Sequence, residues 1–331
     1  MDMNNNLSPE AKMVLATIRK YGAIRVVELI KLLGVSSKTV HKHLLSLLDE
    51  DLIQKKGKTP KVFYSIKEYR SENVLINNFD INDHLIEQNY IYVSASGVVN
   101  RGLRGFYDWC HKNDFNIEKE KKIYIKDLKL IQKLKENGLI SSKKNILSGK
   151  NKLYLDDIFF SDLYTLGHFG KTKLGQLVYL GKSSQNKELI TEIASIIKQD
   201  IQKLIDRYDI KTVCFIPPTI DRKVQFMDVL RRKLKIALPE IKISKVSSDI
   251  KIPQKTLRKL EDRIINAKTT INVSPSQKIN SNVLIIDDAT GSGATINETA
   301  GKIRNITEKN IKIIGYSVVG SYKGFDVISE V

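Results

Sequence analysis

The residues best suited to chemistry lie in one stretch, Val283-Leu284-Ile285-Ile286-Asp287-Asp288-Ala289-Thr290-Gly291-Ser292-Gly293-Ala294-Thr295. Four apolar residues predict a buried strand of a parallel sheet, and two adjacent carboxylates follow at its carboxyl end. A short run of Thr, Gly, Ser and Gly then leads into a helix expected to begin near Thr295. Open α/β sheets bind ligands at the carboxyl ends of their strands. A small, glycine-rich turn at a helix N-terminus offers backbone N–H groups and the positive end of the helix dipole, which suits a phosphate. Asp287 and Asp288, expected on a solvent-facing turn beside it, repel a phosphate and suit sugar hydroxyls or a magnesium-bound water. A phosphate held in a turn and a diol held on two acids point to a ribose 5-phosphate. The alternative is a strand–turn–helix with an acidic turn, which many nucleotide-binding folds share.

The elements that must position this stretch alternate between helix and strand from about Asp162 onward. Lys187 to Tyr208 reads as a long amphipathic helix with Ile190, Ile193, Ile197, Ile201 and Leu204 inward. Thr212 to Ile216 reads as a strand ending at Pro217-Pro218-Thr219, Lys223 to Ile236 as a helix, Ile241 to Val246 as a strand, and Ile311 to Val319 as the last long strand. This order predicts a doubly wound α/β domain with a mainly parallel sheet over residues 162–331. The loop from Pro217 to Lys223 also sits at a strand's carboxyl end, so Pro218, Thr219 and Arg222 join the candidate site.

Strand, paired acids and the Thr/Ser/Gly loop together resemble the phosphoribosyl-pyrophosphate motif of the type I phosphoribosyltransferases. The resemblance implies that Asp287 and Asp288 hold the ribose 2′ and 3′ hydroxyls. It implies also that Ala289, Thr290, Gly291, Ser292, Gly293, Ala294 and Thr295 form the loop around the 5′-phosphate, while Pro218, Thr219 and Arg222 lie near the pyrophosphate. The stretches Leu177 to Lys182 and Gln254 to Asn266 are similar to the ComF-like, competence-associated branch. Related enzymes close a mobile basic loop over the pyrophosphate in that second stretch, which nominates Lys255, Arg258 and Arg263; the alternative for these three is a solvated helix face. Ribosyl transfer breaks the C1–pyrophosphate bond through an oxocarbenium-like state, so positioning and neutralisation of the leaving group dominate. The implied catalytic set is therefore Asp287, Asp288, Arg222, Lys255 and Arg263, with no nucleophile. Mg²⁺ is expected to arrive with phosphoribosyl pyrophosphate rather than on direct protein ligands.

The N-terminal 70 residues carry a different pattern. Ser8-Pro9 opens a first helix that Gly22 ends, Val26 to Leu33 form a second that Gly34 stops, and Ser36 caps a third with Val40, Leu44, Leu47 and Leu48 inward. A basic hairpin tip, Gln54 to Lys61, precedes a strand from Val62 to Ile66. This order resembles a bacterial winged helix-turn-helix. The resemblance implies that Ser37, Lys38, Thr39, His41 and Lys42 face the major groove, with Lys55, Lys56, Lys58 and Lys61 on phosphates. A winged helix that meets protein is the alternative. Residues 71–161 form a middle region, expected as small and α+β. There the run Leu134 to Ile140 and the return at Lys152 to Leu155 echo the first module, as a second, degenerate winged helix or as an ordinary helix–hairpin.

Composition frames these readings. The 331 residues suffice for two or three domains. The net charge of +18 is divided as +6 over residues 1–70, +2 over 71–161 and +10 over 162–331, which favours polyanionic partners. Cys110 and Cys214 read as buried thiols of a reducing cytoplasm, and neither a membrane span nor a secretory signal is expected. The whole arrangement resembles that of purine operon repressors. It implies a nucleic-acid-binding regulator, of DNA or RNA, that senses or turns over phosphoribosyl pyrophosphate or a nucleotide, as a homo-oligomer or within a larger complex. The second reading is an active phosphoribosyltransferase or a nucleotide-consuming effector, for example in bacterial defence, whose winged helix is an adaptor.

Overall fold

Small residues and glycines that punctuate the first 66 residues become helix ends in the computed structural model. That model describes residues 7–50, 52–58, 60–66, 80–142, 152–246, 259–274, 279–307 and 310–321, and it divides into two compact units, 1–78 and 79–331. In the first unit, helix α1 (Pro9–Tyr21) is capped by the Ser8 hydroxyl, which accepts from the Ala11 N–H, and stops at Gly22. Helix α2 (Val26–Leu33) stops at Gly34 in the left-handed conformation. Helix α3 (Ser37–Asp49) is capped by Ser36. An antiparallel hairpin, β1 (Ile53–Lys58) and β2 (Lys61–Ile66), follows. Ile18, Leu29, Val40, Leu44 and Leu47 are buried in one core with Ile53 and Tyr64. The expected long basic tip is shorter than its sequence suggests, because Lys58 pairs with Lys61 and places Lys55 and Lys56 within a paired strand.

The second unit begins with α4 (Ile81–Asn89), the hairpin β3 (Ile91–Val93) and β4 (Val99–Arg101), α5 (Gly102–Lys112) and α6 (Ile117–Leu134). Strands β5 (Lys135–Glu136), β6 (Leu139–Ser141) and β7 (Asp157–Leu163) follow, then α7 (Lys173–Ser183), α8 (Lys187–Tyr208) and β8 (Ile210–Phe215). The remainder is α9 (Phe226–Leu234), β9 (Ile243–Lys245), α10 (Leu260–Thr270), β10 (Ile271–Val273), β11 (Asn282–Thr290), α11 (Ala294–Arg304) and β12 (Ile313–Gly320). Six strands make one sheet in the order β5-β6-β7-β12-β11-β8, in which β7, β12, β11 and β8 run parallel and β6 and β5 are antiparallel additions.

Side chains alternate across this sheet as strand geometry requires. Val283 and Ile285 join a core with Phe106, Tyr124 and Ile303, whereas Leu284 and Ile286 join one with Leu177, Ile197 and Leu230. Both faces are thus covered by helices, and the α/β class is observed. Phe106 is a core residue, fully buried 5.2 Å from Tyr90 and 5.5 Å from Tyr124 between ring centres, and half-buried Trp109 packs against the same core. Among the described residues no helix is long and apolar enough to cross a membrane.

Several boundaries differ from those read in the sequence. A division at 161/162 falls inside β7, which pairs with β12 on one side and β6 on the other. The hairpin after α6 turns at Asn137-Gly138, both with positive φ, and forms the edge of the main sheet. The segment from Lys152 to Leu155, expected as a returning strand, is instead held by α11. Asn297 donates to the Lys152 carbonyl (3.0 Å) and accepts from the Tyr154 N–H (2.8 Å). The helical pattern from Lys223 starts only at Phe226, and β9 leaves the main sheet to pair with β10. The loop containing Lys255 and Arg258 lies outside the described residues.

Because β5 to β7 and the α4–α6 layer share the core of the α/β sheet, a fragment of residues 79–331 is expected to unfold cooperatively, whereas 162–331 is not. The shorter fragment loses most of β7 and exposes Phe106-facing surface. Thermal unfolding followed by circular dichroism checks this, and a cooperative transition in fragment 162–331 would show that the middle layer is dispensable.

Candidate active site

The end of β11 is where chain direction, burial and charge meet. Pairing with β12 continues through Asp287 opposite Ser317 to Thr290 opposite Gly320, and the Ser321 N–H donates to the Thr290 carbonyl (2.9 Å). Gly320 permits this close lateral packing, since a Cβ there would lie 2.1 Å from the Phe160 ring. The acids therefore sit in the strand rather than on a solvent-facing turn: Asp287 is buried and Asp288 half-buried. Gly293 then adopts φ 75°, a left-handed conformation that costs an ordinary residue about 1–2 kcal/mol. It turns the chain into α11, which carries no side-chain cap at its N-terminus. The first helical turn and the Thr290–Gly293 loop line a cleft with the two acids. Thr290 is fixed from below by a hydrogen bond to the Ser317 hydroxyl.

This cleft, of about 220 Å³, is closed on its other sides by Ile216 to Ile220 after β8, by Phe226 and Met227 of α9, and by four basic side chains. Lys182, from the last turn of α7, places its Nζ 3.0 Å from Asp288 Oδ2. Lys245, from β9, donates to the Thr219 hydroxyl. Arg263, from α10, is buried. Arg222 donates to the Lys182 carbonyl, and the Gln185 side chain accepts from the Val224 N–H (2.9 Å). These bonds hold the loop after β8 open as a cleft wall, which is why the predicted helix starts late. Four basic side chains against two carboxylates give the cleft an excess of positive charge, which favours anions.

All of Asp287 to Thr295, with Pro218, Thr219, Arg222 and Arg263, are brought together here. Lys255 lies outside the described residues. The cleft also contains Lys182 and Lys245, which sequence reasoning misses. Lys182 stands in an ordinary helix end whose only clue was its similarity stretch, and Lys245 reaches the site only because β9 turns away from the main sheet. In the first unit, Ser37, Lys38, His41 and Lys42 are exposed, as are Lys55, Lys56, Lys58 and Lys61. Thr39 is half-buried, and its hydroxyl lies 2.8 Å from that of Ser36, so it completes the cap instead of facing outward.

Burial, followed by the neighbouring Asp288 charge, pushes the Asp287 carboxyl up to about 7; the Asp288 N–H (2.8 Å) and the two lysines pull the other way. Burial likewise pulls Lys245 below its ordinary value, against the attraction of both acids. The folded protein thus keeps an Asp287 proton that the unfolded chain releases near pH 4. Stability from this group is full below that pH and is lost as pH rises towards 7. Asp287→Asn is therefore expected to be more stable than the parent at pH 8, by ~1 kcal/mol or more at 1.36 kcal/mol per pKa unit. Its advantage should be smaller at pH 4.5 and vanish only below about pH 4. Denaturant unfolding at both values measures this, and an equal difference at the two pH values would contradict the buried, repelled carboxyl.

Comparison of the chain with protein-family models and with curated proteins finds no match.

Proposed function

We propose that the second unit binds phosphoribosyl pyrophosphate, or a nucleotide derived from it, with Mg²⁺, and that the first unit binds nucleic acid, so that the chain is a ligand-sensing regulator. The observation that carries the reading is one cleft in which the N-terminus of α11, entered through Gly293, and its glycine loop stand beside two carboxylates inside a ring of Lys182, Arg222, Lys245 and Arg263. The loop amides suit a 5′-phosphate. Asp287 and Asp288 suit a ribose diol, and the lysines and arginines suit the pyrophosphate.

The donor set fits Mg²⁺ that comes with its ligand. Two adjacent carboxylates supply hard oxygens, but among the described residues no group of three or more acidic, His or Cys side chains could hold a metal. Bound Mg²⁺ would neutralise pyrophosphate charge. The chain's own part is to orient the ribose on Asp287 and Asp288, to keep the phosphate on the loop, and to screen the leaving group with Lys182 and Lys245. Asp287 must surrender its proton to accept from a sugar hydroxyl with full charge, so ligand binding should release protons near neutral pH. The same arrangement supports an enzymatic second reading. Lys182, paired with Asp288, is positioned to follow charge from the acid to a departing pyrophosphate.

Calorimetric titration with phosphoribosyl pyrophosphate should show Mg²⁺-dependent binding. Asp287→Ala/Asp288→Ala should weaken it on the order of 100-fold, because hydrogen bonds to charged acceptors contribute ~1.5–3 kcal/mol each. Unchanged binding by a folded double variant would remove the assignment. Pyrophosphate release over a panel of bases separates the readings, since turnover makes the chain an enzyme.

For the first unit, exposed Lys38 and Lys42 on α3 and Lys55, Lys56, Lys58 and Lys61 on the hairpin support phosphate contact. A Lys38/Lys42/Lys56/Lys58 alanine variant should lose about one unit of salt-dependence slope per phosphate contact removed. Saturating phosphoribosyl pyrophosphate should change DNA affinity by roughly 5–150-fold if the sites are coupled. Parent-like DNA affinity in the variant would assign this unit to a protein partner, and ligand-independent affinity would favour the enzyme with an adaptor.

A further inference from the structure

We propose that α6 presents a second nucleic-acid surface, a lysine ridge that holds a sugar–phosphate backbone independently of the first unit and of the cleft. Lys119, Lys122, Lys126, Lys129 and Lys133 follow one another at spacings of three, four, three and four, and all five are exposed. At 3.6 residues per turn they share an arc of about 80° and extend over about 21 Å of helix. Among the described residues none of the five forms an ion pair. Two of the acids of α6 are turned elsewhere, since buried Glu120 bonds His168 (2.7 Å) and Asp127 lies beside Gly167; the third, Glu118, stands exposed at the flank of the ridge and pairs with Lys121 (3.6 Å). Neighbouring like charges at these spacings repel and weaken the helix. The ridge is thus held together by the core beneath it, and a polyanion would relieve its repulsion.

The partner's chemistry follows from what α6 lacks as well as what it shows. A membrane-surface helix needs an apolar face to insert, but Tyr124, Ile125 and Ile131 are buried, with Ile117, Ile123 and Leu128 packed into the same core. A protein interface needs an apolar centre, and Leu130, half exposed, is the one large exposed apolar side chain on this helix among the described residues. A nucleic-acid strand asks only for regular positive charge. Its phosphates advance by ~3.4 Å along the axis, so the ridge spans about six nucleotides. At the N-terminal end of the ridge stands Phe115, 41% exposed, with its ring 5.2 Å from Trp109 and edge-on to His168 at 6.2 Å. That ring is a platform on which an unpaired base could stack.

The test uses the full chain with all five ridge lysines changed to Gln, beside the parent and the Lys38/Lys42/Lys56/Lys58 alanine variant. Binding of a duplex and of a single-stranded oligonucleotide is measured by fluorescence anisotropy over a salt series. The five-Gln chain should lose at least about two units of slope, from three contacts at ~0.7–0.9 each, and at least tenfold in affinity at low salt. The corresponding five-Arg chain should bind like the parent, which controls for folding together with an unchanged circular dichroism spectrum. Phe115→Ala assigns the strand: selective loss on the single-stranded probe identifies unpaired bases, and no loss identifies the duplex. Parent-like slope and affinity in the folded five-Gln chain would overturn the proposal. So would loss of binding to anionic vesicles or an acidic peptide with oligonucleotide binding intact.

Discussion

The structure depends on the burial of β11 between two parallel neighbours. With β8 on one side and β12 on the other, Val283 to Ile286 are removed from water on both faces, and their backbone groups are satisfied within the sheet. Parallel pairing imposes direction, so the chain can deliver polar chemistry only where β11 ends. Asp287 is carried into that end still hemmed in by the sheet. This is why it is both well placed for a ligand and costly as a charged group. The cleft is an electrostatic arrangement in which Lys182, Lys245, Arg222 and Arg263 surround a pair of acids that would otherwise be hard to keep.

The far end of the same unit is joined by polar contacts rather than by sheet alone. Asn297, fully buried on α11, bonds the segment before β7. Arg304, at the end of α11, donates to the carbonyls of Tyr154 (3.0 Å) and Ile311 (2.6 Å) and pairs with Asp156. Asp156 in turn accepts from the Ile313 N–H (2.7 Å). One helix thus has its N-terminus at the candidate phosphate loop and its body and C-terminus fastened to the segment before β7 and to the start of β12. A shift of the loop is resisted along the whole of α11.

Much of this was legible wherever local signals are strong. Ser8, Gly22, Gly34 and Ser36 mark helix ends because capping and positive φ are properties of single residues. Val283 to Thr295 announces a strand, acids and loop because each depends on its immediate neighbours. Long-range decisions left weaker traces. Whether Asp287 lies in a strand or a turn depends on Gly320, thirty-three positions away, making room for Phe160. Whether Ile243 joins the main sheet depends on which edge it meets, and the run from Lys223 gives up its first turn to bonds from Gln185 and Arg222. Lys182 and Lys245 were hidden for the same reason: lysine is common here, and only tertiary placement separates these two from a solvated surface. The α6 ridge was written plainly as a spacing, but its meaning required knowing that the opposite face is buried.

The edges of the main sheet constrain how copies of this chain could join. At one side the sheet ends in β5, only two residues long. At the other, the outward N–H and carbonyl of Val213 in β8 are already occupied by Pro239 and Ile241, with Glu240 bridged beside it. A short strand and an edge already bridged at Val213 both discourage edge-to-edge pairing. Self-association through this unit would therefore use its helical faces and loops, leaving the sheet a closed interior object rather than a template for another strand.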